Sequence, residues 1–206
     1  VIQPNLPYPT SVICSDDQLY FLDYEGFIGR RPSLAGLLLH GQFRQYTFEA
    51  VLEPLANDLN VEYVSWPDWV AYLMQLRAKG YLAVGYSMHE AEVSPELGPA
   101  EEWYRNAHRF LKRHVIWPEG RRPRKWDLQS LATHCGMTTV NYGTKQATQR
   151  LRYALQFAAK YGTAAKFTPT AKAKWTKLLN YNRQDVFMLE HVTEYGRRLL
   201  LRQACQ

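Results

Sequence analysis

The order of elements in this chain predicts an α/β fold, a mixed sheet flanked by helices. Three observations lead there. Short apolar runs of strand length fall at 18–25, 34–40, 43–51 and 81–86. Apolar residues at helical spacing mark 66–79 and most of the second half. The resulting order is three early strands, a helix, a strand and then helices, which suits a sheet covered by helices. At 206 residues the chain is long enough for one domain with a sizeable core.

Residues 1–15 hold Pro4, Pro7 and Pro9 and read as an extended lead-in, leaving 16–206 as the domain. Leu19, Tyr20, Phe21 and Leu22 form a strand buried on both faces. Gly26 and Gly29 with Arg30-Arg31-Pro32 make a turn. The strands 34–40 and 43–51 flank Gly41-Gln42 as a hairpin. Trp66-Pro67-Asp68 opens a helix with Trp69, Val70, Leu73 and Leu76 on one side, and Gly80 ends it. The run 81–86 is a fourth strand, followed by a helix from Met88 and another over 99–114. A proline- and arginine-rich loop spans 117–125. Helices are expected from Trp126 to Cys135, over 144–160 and over 169–203.

Net charge is +6, which favours an anionic partner such as nucleic acid. The three cysteines, Cys14, Cys135 and Cys205, are odd in number and far apart. They fit neither a disulfide framework nor a zinc knuckle, so a reducing, cytoplasmic setting is expected. No apolar run is long enough to span a bilayer, and no membrane partner is expected. The opening Val1-Ile2-Gln3-Pro4 has no signal-peptide character and suggests a piece of a longer protein with further domains.

Two acidic motifs stand out. Asp23-Tyr24-Glu25 closes the first apolar strand, and alternation puts both carboxylates on one face. Tyr181-Asn182-Arg183-Gln184-Asp185-Val186 lies in the last helix, where Tyr181 and Asp185, four apart, share a face. Taken singly, each has an ordinary explanation: a solvated strand end, or a surface pair of Asp185 with Arg183 or Lys177. Taken together, three carboxylates and a phenol would converge if the fold joins the two faces. Such a set could hold a pair of hard cations over a phosphate.

On these motifs the chain resembles the DEDD, or DnaQ-like, 3′–5′ exonuclease superfamily in its tyrosine subtype. Within it, the chain is most similar to the YprB-type RNase H-like nucleases. The resemblance follows element order over residues 17–200, and only the two motifs are specific. It implies a ribonuclease H-like domain with a mixed five-stranded sheet. It further implies a metal-dependent nuclease acting on DNA or RNA, with two Mg²⁺ or Mn²⁺ ions. Asp23, Glu25, Glu90 and Asp185 would be the ligands, and Tyr181 would orient the attacking water. The family's second motif places an Asp just after the fourth strand. Here that place reads Gly85-Tyr86-Ser87-Met88-His89-Glu90, so Glu90 is the nearest carboxylate, with Glu92 as a neighbour. Asp127 competes for the same role, although as a helix-start residue it suits an N-cap.

His89 reads as a helix-start polar group, and Lys145 is assigned no role. Arg121, Arg122, Arg124 and Lys125, with Lys112 and Arg113, could grip a nucleic-acid backbone. The tryptophans at 66, 69, 103, 126 and 175 fall at helical or helix-start positions and read as core. The departure at the second motif leaves an alternative: a degenerate domain that binds nucleic acid or a protein partner without cutting it.

Overall fold

The computed structural model describes residues 13–14, 17–143 and 146–204. The predicted lead-in, except for residues 13 and 14, lies outside the described residues, as do Lys145 and Cys205. The described residues build six strands: β1 (Gln18–Gly26), β2 (Pro32–Leu39), β3 (Gln42–Thr47), β4 (Glu62–Tyr63), β5 (Tyr81–Gly85) and β6 (Tyr104–Asn106). They form one sheet in the order β4-β3-β2-β1-β5-β6. β1, β2 and β3 run antiparallel in turn, while β5 lies parallel to β1 and β6 parallel to β5. The fold is therefore α/β with a mixed sheet, as the element order predicts. The sheet has six strands where five were expected.

Four of the six fall where the sequence places strands, and β4 and β6 are the two it did not locate. β4 and β6 have two and three residues, too few for any periodicity to show. β6 also breaks the helix expected over 99–114. Tyr104, Arg105 and Asn106 pair with Ala83, Val84 and Gly85, leaving α3 (Ala100–Trp103) and α4 (Ala107–Arg113) on either side. Asn106 then caps α4, accepting a hydrogen bond from the Arg109 N–H at 2.8 Å. The strand expected over 43–51 stops at Thr47, and a 3₁₀ turn containing Pro54 follows over Ala50–Leu55. The helix expected from Met88 is one turn, α2 (His89–Glu92).

Other local rules hold. The β2–β3 hairpin turns on His40 and Gly41, both with positive φ (52° and 74°), the twist that a two-residue hairpin loop requires. α1 (Trp66–Ala78) is capped by Ser65, whose hydroxyl accepts from the Asp68 N–H. α5 (Leu128–His134), α6 (Ala147–Tyr161) and α7 (Pro169–Ala204) complete the chain.

Alternation along β1 sorts the layers. Tyr20, Leu22 and Tyr24 pack against Trp66, Trp69 and Leu73 of α1. Phe21 faces the other way, into a cluster with Phe110 of α4, Leu131 of α5 and Val186, Leu189 and Val192 of α7. Asp23 and Glu25 follow Phe21 in alternation, so the sheet aims them at the α7 side. α7 lies along that face, and its upstream half packs Trp175 and Leu178 with α6 and the 3₁₀ turn. Among the described residues no helix is long and apolar enough to cross a membrane.

Candidate metal centre

The C-terminal end of β1 and the middle of α7 meet at one point. One oxygen each from Asp23, Glu25 and Asp185 lie within 4.8 Å of one another, although more than 150 residues separate the motifs. Two oxygens bound to one hard cation sit no more than about 4–5 Å apart, twice the ion–oxygen distance. The spacing therefore fits a shared cation. The donor set is all oxygen, which suits Mg²⁺, Mn²⁺ or Ca²⁺ rather than a soft metal. The register of β1 against β2 shifts between Glu25 and Gly26, a bulge-like irregularity at the site itself.

Burial and the neighbouring acids hold these carboxyls back from ionising. Burial pushes the Asp23 carboxyl well above the usual carboxylate range, and the neighbouring Asp185, Glu25 and Glu90 raise it further. The Asn182 amide opposes this by donating to it. Glu25 is pushed up to about 8 by burial, then by Asp185 and Glu90. Asp185 is pushed up to about 7 by burial, while a hydrogen bond from the Tyr181 hydroxyl holds it down. Burial and then the Asp185 charge raise the Tyr181 phenol, so it stays a hydroxyl. Three acids that resist ionising together are what a cation would relieve.

Glu90 lies beyond the end of β5 and is 5 % exposed. It is not one of the three oxygens that meet. Its Oε2 is 2.8 Å from the Tyr104 hydroxyl, which also bonds the Ser87 carbonyl. Gly85 makes the room: a Cβ there would lie 2.7 Å from Glu90 Oε2 and would overlap the Tyr104 hydroxyl. Glu90 thus stands behind the triad, close enough to raise Asp23 and Glu25.

Asp127 caps α5, accepting from the Ser130 N–H at 2.9 Å. That backbone hydrogen bond keeps its carboxyl low. It also lines a cavity of about 170 Å³ with Tyr142, Tyr181, Gln184 and Asp185. The loop leading into α5 carries Arg121, Arg122, Arg124 and Lys125, all exposed. Arg122, Arg124 and Lys125 line a pocket of their own with Ser130 and His134 of α5. Arg183 does not pair with Asp185 as its ordinary explanation would have it. Its guanidinium lies over the rings of Phe43 and Phe187, at 5.6 and 5.5 Å from their centroids. His89 is exposed at the first position of α2. Trp66, Trp69, Trp103 and Trp175 are buried, whereas Trp126 is half-buried.

Sequence reasoning passed over two neighbours of the triad. Asn182 is fully buried and its Nδ2 donates to the Asp23 carboxylate at 2.8 Å. Gln184 clamps Val140, accepting from its N–H at 2.7 Å and donating to its carbonyl at 2.8 Å. A signal for Asn182 was present. It falls on the helical stripe Trp175, Leu178, Leu179, Val186 and Leu189, a polar residue in an apolar row.

Comparison of the chain with protein-family models, curated protein sequences and solved structures gives no match.

Proposed function

We propose that this protein is a metal-dependent nuclease with a ribonuclease H-like fold that hydrolyses phosphodiester bonds of nucleic acid from the 3′ end. The observation that supports it most is the meeting of Asp23, Glu25 and Asp185 from two distant motifs. Asp23, Glu25 and Asp185 would hold the cations, with Glu90 as the fourth acid of the set. With Mg²⁺ or Mn²⁺ held by these acids, the acidity of a water and the charge on the leaving oxygen would be met by the cations. Tyr181 would orient the attacking water through its hydroxyl. Its raised pKa makes it a poor base, so its part is positioning rather than proton removal. Arg121, Arg122, Arg124 and Lys125 would hold the phosphate backbone beside the site.

One observation favours a second reading. Among the described residues three carboxylates converge, while Glu90 is engaged by Tyr104. A domain with that set could bind one cation and nucleic acid without cutting. An assay on labelled single- and double-stranded DNA and RNA, with Mg²⁺, Mn²⁺ or EDTA, separates the two. Cleavage that needs metal and disappears in Asp23→Ala and Asp185→Ala, by at least about 10²-fold, is the expected result. Both variants should remain folded, because each removes one of several mutually repelling acids. Binding without cleavage under every metal condition would favour the second reading. Cleavage that persists in the double variant would place the activity elsewhere.

A further inference from the structure

Behind Asp23 runs a chain of two side-chain amides whose direction the backbone fixes. Asn182 Nδ2 donates to the Asp23 carboxylate at 2.8 Å and to the Asp23 main-chain carbonyl at 3.2 Å. Asn182 Oδ1 accepts from Gln45 Nε2 at 2.9 Å. The same Gln45 nitrogen donates to the Leu179 carbonyl at 3.0 Å. Both hydrogens of each amide are used. A carbonyl oxygen can only accept, so Leu179 fixes which end of Gln45 is the donor. That makes Asn182 Oδ1 the acceptor and turns its NH₂ group to Asp23, whose own carbonyl requires the same orientation.

The packing reserves space for this arrangement. Asn182 is fully buried in the apolar row of α7. It sits over Gly36 of β2, where a Cβ would overlap Oδ1 and lie 3.0 Å from Cγ. A buried amide costs free energy unless all its groups are paired, and here they are. A leucine would fill the row without that requirement. The arrangement therefore makes sense as a device that holds one oxygen of Asp23 and leaves the other for the site.

We propose that Asn182 and Gln45 are positioning residues that set the orientation of the Asp23 carboxylate for cation binding. This rests on the metal-dependent reading above. Asn182 bonds Asp23 directly, and Gln45 acts through Asn182. Outer partners of a metal ligand are typically worth about 10- to 100-fold in metal affinity.

The test is Mn²⁺ binding to the whole chain, read by electron paramagnetic resonance of the free ion. Asn182→Ala removes the donor outright. Gln45→Glu keeps shape but loses both donor hydrogens, so it repels Asn182 Oδ1 and turns the amide away from Asp23. Gln45 is half-buried, which makes this the variant that keeps the fold if Asn182→Ala does not. Both should weaken Mn²⁺ binding about 10- to 100-fold, with the metal-free circular dichroism of Gln45→Glu unchanged. A merely structural role would lower the melting temperature and leave the affinity of folded protein alone. Wild-type affinity in a folded Gln45→Glu protein would overturn the proposal while leaving the metal site standing. A wild-type protein that binds no Mn²⁺ would overturn both.

Discussion

Glu90 and Asp127 are held by different partners. Glu90 is buried and its carboxyl is raised by burial, with the Tyr104 hydroxyl opposing that shift. Asp127 is exposed and already satisfied by a helix N–H. Replacing Glu90 with Gln keeps the hydrogen-bonding shape but removes the acid from the wall of the site. Removing Asp127 costs a cap, about 0.5–2 kcal/mol, and leaves the triad as it was. Glu90→Gln is therefore expected to reduce metal-dependent cleavage far more than Asp127→Ala, whose effect should appear in thermal melting. Equal losses, or a larger loss for Asp127→Ala, would transfer the fourth acid's role to Asp127. At this scale the acids were legible because their spacing alone puts them on shared faces. For Asn182 the apolar stripe signals burial but not its partner, since nothing in the spacing says which residue of β1 it will meet.

At the scale of elements, the site depends on how closely α7 approaches the sheet. Gly36 lies at the centre of β2, paired with Asp23 across β1 and with Gln45 across β3. The helix comes close there, with Val186 Cγ2 only 3.0 Å from a would-be Cβ. Gly36→Ala should therefore push on Asn182 and Val186 together. A destabilisation of about 1–3 kcal/mol is expected from overpacking, with a loss of Mn²⁺ affinity alongside it. Urea melts and Mn²⁺ titration of the one variant check both, and an alanine accepted at full stability would show that the close approach is slack. The main elements could be read from the sequence because their lengths exceed a period of the pattern. β4 and β6 could not, because two or three residues become strands only through the neighbour they pair with.

On the whole-molecule scale, a chain of net charge +6 concentrates negative charge at one spot, and in the metal-free protein this makes stability depend on pH. Glu25 has an ordinary value near 4.5 and a folded value of about 8, while Asp185 rises from 3.8 to about 7. A raised folded value means the native state holds its protons more tightly than the unfolded chain. Stability from these groups is thus fully present below their unfolded values and is lost as pH climbs towards about 8. Glu25→Gln removes one such group with a neutral near-isostere. Without metal, wild type and variant should melt together near pH 4.5, and the variant should become the more stable of the two as pH rises to 8.5. Each 1 kcal/mol of that gap shifts Tm by about 2–4 °C for a chain of this size. Saturating Mn²⁺ at pH 8 should reverse the order, because a cation stabilises the ionised wild-type acids and gains less from an amide. Melting curves of both proteins across this range, with EDTA and with Mn²⁺, test the sign directly. A gap that stayed constant with pH, or widened toward acid, would mean that Glu25 ionises freely and that the acids do not act on one another as a cation site requires.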